Sequence, residues 1–242
     1  VFIFFIFYLL RSCMSNIYKV MGSVWKWPWE YVLQIQYFNV AGSFLGVLIS
    51  VFLLIKKVDY RYIFTIGFFT LSISLLWFSY LFFPDTKVDA IAPPLMLEGL
   101  GQGLIFTPLV LYMIGSVHPN ISGNVALIGT AARFWTTTIG FAIMQNAVLY
   151  LTTKHQFLMT KNLDQTSTIF QEQWNNLMMK NSSVHLTNDS VSLSIGVLKT
   201  KLYNQALLVS NIEIFRSLFV IGIVMTFLLF FYKPFKTVLF RK

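Results

Sequence analysis

Charged residues are scarce in this sequence. Only 11% of the 242 residues are charged, whereas 56% are hydrophobic and 17% are aromatic. A soluble domain of ordinary composition carries about 25% charged residues, and a chain with so few could not cover a surface that faces water. The composition therefore excludes a soluble globular protein and indicates a protein surrounded by lipid.

Cysteine and recognisable catalytic groups are also almost absent. Cys13 is the single cysteine, so neither an intramolecular disulfide nor a cysteine-ligated metal site is expected. The three histidines fall between the apolar stretches, and no nucleophile elbow, HExxH sequence or phosphate-binding loop occurs. We therefore predict that the chain is not an enzyme and that it needs no metal and no cofactor.

Positive charge is in excess, with a formal net charge of +9. The basic residues form short clusters between apolar runs rather than a stripe along one face, so nucleic acid is not expected as a partner. One cluster is Lys56, Lys57 and Arg61, and the other lies in residues 233–242. Basic short loops mark the cytoplasmic side of a membrane. Four predicted spans separate the two clusters, which places both on that side.

Long apolar stretches make up most of the chain. Crossing about 30 Å of hydrocarbon takes about 20 apolar residues in a helix, and a backbone in lipid must pair its polar groups internally. The stretches that qualify are Tyr31–Ile55, Tyr62–Phe83, Ile91–Val117, Val125–Leu151 and Ile214–Tyr232. The sequence therefore predicts an all-α, polytopic transmembrane helical bundle.

The spans divide the chain into six predicted segments. Residues 1–10 are apolar but too short to span alone, so we interpret them as the tail of a truncated transmembrane helix in a fragment. The remaining segments are an external linker (11–30), four transmembrane helices (31–151), an external amphipathic loop region (152–210), the last transmembrane helix (211–232) and a basic cytoplasmic tail (233–242).

Apolar residues recur at helical spacing in the external region. Phe170, Trp174 and Leu177 form one such set, and Ile195, Leu198 and Leu202 form another. The spacing predicts two amphipathic helices that lie against the bundle or the outer leaflet. The alternative is a surface on which a partner protein docks.

Ionisable residues within the spans need an explanation, because each costs a few kcal/mol or more in hydrocarbon. Glu98 and Arg133 lie at membrane depth, and Gln102 shares the helix face of Glu98. In one interpretation Glu98 carries a proton, since burial makes a charged carboxylate costly. In the other, Glu98 and Arg133 form an ion pair that only fixes two helices.

A polar stripe follows one face of the first complete span. Gln36, Asn39, Ser43, Gly46 and Ser50 are three or four residues apart. The stripe is typical of a helix that lies between lipid and an aqueous pathway. Gly42 and Gly46 also form a GxxxG pair, which favours close packing of two helices.

The span from residue 91 is rich in glycine and contains proline. Gly99, Gly101 and Gly103 allow another helix to approach closely, and Pro108 removes one backbone hydrogen bond. We therefore predict a closely packed helix that can bend.

Two of these spans resemble helices of the major facilitator superfamily, in particular its fourteen-span drug:proton antiporter branch (EmrB/QacA type). Residues 98–109, EGLGQGLIFTPL, resemble a glycine-rich, proline-bearing helix of that family, two spans before its C-terminus. Arg133, Ile139 and Gly140 match its Arg-x-x-Gly-Gly-x-Ile-Gly pattern, although Thr136 and Thr137 stand where the family prefers glycine. A long external segment before the last span is a further similarity.

The resemblance implies a function. It implies the C-terminal half of a secondary transporter in the inner membrane, which exports amphipathic drugs as protons enter and works, in some bacteria, with a periplasmic adaptor protein. The expected partners are thus lipid, a small amphipathic substrate, protons and an adaptor. The rival interpretations are a polytopic membrane enzyme, such as an acyl or glycosyl transferase, and a membrane scaffold.

Roles within this function are assigned to the residues described above. Glu98 is the candidate proton carrier. The candidates for cavity-lining positions are Gln36, Asn39, Gln102 and Arg133, and the candidates for helix packing or bending are Gly42, Gly46, Gly99, Gly101, Gly103, Pro108 and Gly140.

Overall fold

The chain folds as helices that pack side by side. The computed structural model describes residues 2–115, 122–161, 171–172, 175–176, 178–179 and 187–231, and within these residues it has helices and no strands. The principal helices are α1 (Phe2–Ser12), α2 (Met14–Ser23), α3 (Trp29–Ile55), α4 (Tyr60–Ser79), α5 (Val88–Gly115), α6 (Ser122–Lys161) and α7 (Thr187–Phe231).

Five helical stretches of the described residues are long and apolar enough to cross a membrane. They are α1 with α2, α3, α4, α5 and the Ser192–Phe231 part of α7. The predicted all-α polytopic bundle is thereby confirmed, and the protein is a multi-pass membrane protein. The helix α6 has 40 residues, but it is not among the five.

The N-terminal region differs from the sequence prediction. A linker was expected over residues 11–30, but helix continues to Ser23, and the candidate span is the 22-residue stretch Phe2–Ser23. The reason is packing: Ile17, Val20 and Met21 are fully buried in the core, which an exposed linker would not allow. Arg11 therefore lies near the middle of a span rather than outside it.

The external region also differs from the prediction. The helix α6 continues past residue 151 to Lys161, and α7 already begins at Thr187. At 1.5 Å per residue, α6 and α7 are about 60 and 68 Å long, roughly twice the hydrocarbon thickness. Ile195, Leu198 and Leu202 thus belong to the beginning of the last helix and not to a separate one.

Other predicted features fall outside the described residues. These are the set Phe170, Trp174 and Leu177 and the basic tail 233–242.

The helices pack in a defined order around the bundle. The helix α3 packs against α5, α5 against α4, α4 against α7, α7 against α6, and α6 against α1. The core lies around α4, where Phe64, Phe68 and Leu71 are fully buried. The Phe215 ring of α7 meets the Phe78 ring of α4 edge-on, with ring centroids 5.9 Å apart. An apolar interface between α4 and α7 therefore holds one side of the bundle together.

Glycines bring α3 and α5 into backbone contact. A Cβ added to Gly42 would strike the Met96 carbonyl, and one added to Gly99 would strike the Asn39 carbonyl. Gly46 and Gly103 lie just as close to backbone atoms of the opposite helix. The GxxxG pair on α3 therefore packs against the glycine-rich segment of α5, as the small residues of closely packed membrane helices do.

Three further residues of the predicted packing set lie elsewhere. Gly101 faces α4, where an added Cβ would lie 2.9 Å from the Leu71 amide nitrogen. Gly140 of α6 faces α1, with 3.3 Å from an added Cβ to the Tyr8 carbonyl oxygen. Pro108 is buried inside α5, which continues as a helix past it to Gly115.

Candidate functional site

A carboxyl group, Glu98, is buried between α3 and α5. Its exposed fraction is 1%. The Asn39 amide of α3 donates a hydrogen bond to Oε2, and the Gln102 amide of α5 donates one to Oε1. The Asn39 amide also lies 3.3 Å from the Leu95 carbonyl oxygen. Both carboxyl oxygens therefore have amide donors, one of which crosses the interface between the two helices.

The expected ion pair between Glu98 and Arg133 is not formed. No ion pair within 4 Å joins them among the residues that the structure describes. The Arg133 guanidinium lies instead over the Phe106 ring, with 5.3 Å from Cζ to the ring centroid. The helices that carry them, α5 and α6, are consecutive in the chain, but Glu98 faces α3 while Arg133 faces the cavities beside α1.

Arg133 lies where three cavities meet. The largest, of about 390 Å³, lies between α1 and α6. Two others, of about 190 Å³ each, lie beside α5. Arg133 lines all three. The largest cavity is lined by Tyr8, Arg11, Ser12, Ser15, Arg133, Phe134, Thr137, Thr138 and Phe141.

Arg11 is a site residue that the sequence analysis missed, because it was placed in an external linker. It lines the cavity of about 390 Å³ and also one of the two smaller cavities, which lies between α1, α3, α5 and α6. A signal was present: apolar residues return after Arg11 at Met14, Ile17 and Val20, so the apolar stretch is long enough to span. Because Arg11 interrupts the apolar run, the sequence alone predicts that the span ends there.

The predicted polar stripe of α3 has two roles. Gly46 and Ser50 are buried, and Asn39 reaches across to Glu98, so most of the stripe packs on α5. Ser43 instead lines the smaller cavity that contains both arginines. Gln36 is half-buried.

Gln102 connects the buried carboxyl group to a cavity. It is 8% exposed, donates to Glu98 and lines the same cavity as Arg11, Ser43 and Arg133. A change in the partner of its amide would therefore alter the cavity wall.

A second polar contact joins α6 to α2. The Gln145 side-chain amide donates to the Ser15 hydroxyl at 3.2 Å and to the side-chain amide oxygen (Oδ1) of Asn16 at 3.3 Å. Asn16 is 1% exposed, and its own amide nitrogen has no hydrogen-bond partner. These residues were also absent from the predicted site.

Comparison with known proteins gives one distant relative. No family model matches the chain, and no solved structure matches it significantly. The chain is similar to the probable multidrug resistance protein EmrY of Escherichia coli strain K12, with 24% identity over 182 residues. The match covers 74% of this chain and 34% of that protein, so the chain spans about a third of the relative's length.

Proposed function

We propose that this chain is part of a secondary transporter that exports amphipathic small molecules across the inner membrane in exchange for protons. The observation that carries the proposal is the position of Gln102, between a buried carboxyl group and a cavity lined by two arginines. A proton site and a substrate site are then in contact through one side chain. The similarity to a probable multidrug resistance protein supports the choice of substrate.

Proton uptake at Glu98 would change its hydrogen bonds. An ionised carboxylate only accepts hydrogen bonds, whereas a protonated one also donates. Because both oxygens of Glu98 meet amide N–H donors, the new O–H would face a donor, and an amide would have to turn its oxygen toward it. If Asn39 turns, the bond between α3 and α5 changes. If Gln102 turns, the cavity wall changes.

The helix that carries Glu98 can also bend. Pro108 has no N–H, so the Leu104 carbonyl one turn earlier loses its usual helical partner. Such positions are where kinks occur in helices. Bending of α5 near Pro108 would move Gln102 and Glu98 relative to the cytoplasmic end of the same helix, as alternating access requires.

The proposal is tested with Glu98→Gln in the full-length protein, reconstituted in proteoliposomes. Glutamine keeps the size of the side chain and cannot carry a proton at neutral pH. We expect transport driven by a pH gradient to fall by about 100-fold or more, the scale on which a lost proton-transfer group acts. Exchange of labelled for unlabelled substrate without a gradient should persist, because that exchange needs no net proton movement.

Asp89→Asn is the matched control, since Asp89 is an exposed acid at the beginning of the same helix. We expect this variant to transport like the wild type. Gradient-driven transport that survives Glu98→Gln unchanged would remove Glu98 from the mechanism. Absence of any transport or exchange by the wild type would instead favour the enzyme or scaffold interpretation.

We further propose the outer parts of α6 and α7 as the region where an adaptor protein would bind.

A further inference from the structure

Two positive charges, those of Arg11 and Arg133, are exposed in the described part of the bundle and have no acidic partner there. Arg11 and Arg133 line two cavities in common. Among the described residues, no carboxylate forms an ion pair with either guanidinium. The Arg133 guanidinium instead lies over the ring of Phe106.

Glu98 does not neutralise these charges from within the cavities. It is 1% exposed, and amide groups occupy both of its oxygens. Among the described residues, no aspartate or glutamate lines the three cavities around Arg133. The described lining of the cavities therefore carries a net positive charge.

The remaining cavity walls are suited to an amphipathic molecule. Tyr8, Phe134 and Phe141 supply aromatic surface beside the two arginines, and Ser12 and Thr137 supply hydroxyl groups. The volume of about 390 Å³ is at the lower end of the range for small-molecule sites, about 300 to 1,000 Å³. Guanidinium groups bind carboxylates through paired, charge-assisted hydrogen bonds.

We infer that this cavity selects organic anions: aromatic or aliphatic molecules that carry a carboxylate, sulfonate or similar acidic group. The anionic group would lie between Arg11 and Arg133, and the apolar body would lie against the aromatic side chains. The inference rests on the proposed function and names its substrate class.

Two fluorescent probes of equal ring size test the charge preference. Anthracene-9-carboxylate and anthracene-9-methylammonium differ in the sign of the headgroup. Binding of each is measured by fluorescence anisotropy to the full-length protein in lipid nanodiscs, with empty nanodiscs subtracted. We expect the carboxylate to bind about 10-fold more tightly than the ammonium, as one or two charge-assisted hydrogen bonds imply.

Substitutions of the two arginines then test whether they cause the preference for the carboxylate probe. Arg11→Gln and Arg133→Gln should each weaken carboxylate binding by about 10-fold and leave ammonium binding unchanged or tighter. Arg133→Lys keeps the charge and should retain part of the affinity even if Arg133→Gln folds poorly. Arg216→Gln is the control, because Arg216 of α7 lies over the ring of Tyr80, the residue that follows α4, and lines none of the three cavities.

The outcomes separate the inference from the proposed function. Equal binding of both probes, or tighter binding of the ammonium, would overturn the inference. So would an equal loss for both probes in the glutamine variants, since that result indicates a purely structural role. If the protein exports only cations, the proposed function stands and the inference about organic anions is wrong. If the protein binds the carboxylate through the arginines but transports nothing, the inference stands and the proposed function is wrong.

Discussion

Replacing Gly99 with alanine tests the contact between α3 and α5. The added Cβ would strike the Asn39 carbonyl oxygen and would lie 2.9 Å from the Ser43 amide nitrogen. Both are backbone atoms in the middle of a helix, so neither can move without shifting α3 as a whole. The two helices must separate, and Asn39 would also move away from Glu98.

The expected magnitude has two parts of opposite sign. Overpacking a closely packed contact costs about 1 to 3 kcal/mol, and the obstacle here is backbone, which favours the upper part of that range. Alanine is a better helix former than glycine by about 1 kcal/mol. We therefore expect Gly99→Ala to lower the free energy of unfolding by about 1 to 2 kcal/mol.

Two other glycines serve as matched controls. An alanine at Gly129 would strike the terminal methyl group of Met113, a flexible side chain that can move aside, so we expect a change near zero. Nothing lies within 4 Å of a Cβ at Gly196 on α7. Gly196→Ala should therefore stabilise the protein by up to about 1 kcal/mol.

The measurement is reversible unfolding of the purified full-length protein in mixed micelles with increasing dodecyl sulfate. The order of stability should be Gly196→Ala above Gly129→Ala above Gly99→Ala. If Gly99→Ala proved as stable as Gly196→Ala, the close approach of the two backbones would be wrong.

Two further predictions concern individual hydrogen bonds. The Trp25 indole donates to the Phe83 carbonyl oxygen at 2.6 Å, so Trp25→Phe should lower the free energy of unfolding by about 0.5 to 1.5 kcal/mol in the same assay. The control is Trp77→Phe, at an outward-facing position, which should change it by almost nothing. Equal effects of the two substitutions would mean that the bond contributes nothing. A double-mutant cycle between Asn39→Ala and Glu98→Gln should give a coupling of about 1 kcal/mol, within the range for hydrogen bonds between membrane helices, and additive effects would contradict the bond.

Hydropathy located the middle helices within a few residues. The predicted span Tyr31–Ile55 corresponds to α3 (Trp29–Ile55), and Ile91–Val117 corresponds to α5 (Val88–Gly115). The length of an apolar run is set by the membrane thickness, so the sequence alone carries this information. The positions of the glycines on α5 likewise indicated close packing, although not the partner helix.

The sequence could not give the direction in which each polar side chain points. Glu98 and Arg133 are on consecutive spans at similar depth, which suggested a pair. Whether two side chains meet depends on the rotation of each helix about its axis, and packing of the glycines against α3 fixes that rotation for α5. The same packing turns Glu98 toward Asn39 and away from α6.

Arg11 shows a second limit of the sequence. A charge inside an apolar run predicts the end of a membrane span, because a charge in lipid is costly. The cost applies only where the side chain faces lipid. In the structure Arg11 faces a cavity, so the run continues through it. Only the packing of α1 against α6 creates that cavity, and one helix alone cannot reveal it.

The two sides of the bundle differ in what they can expose. The interface between α4 and α7 is built from buried aromatic and aliphatic side chains such as Phe68, Leu71 and Phe215, and any opening there would bring apolar surface into water. The side formed by α1, α3, α5 and α6 carries Arg11, Arg133 and the carboxyl group of Glu98. Because charge is costly in lipid in every conformation, this side must border water, a bound anion or the remainder of a transporter throughout a transport cycle. In the transporter that we propose, a substrate would enter between these four helices, while α4 and α7 remain packed together as the fixed side of the bundle.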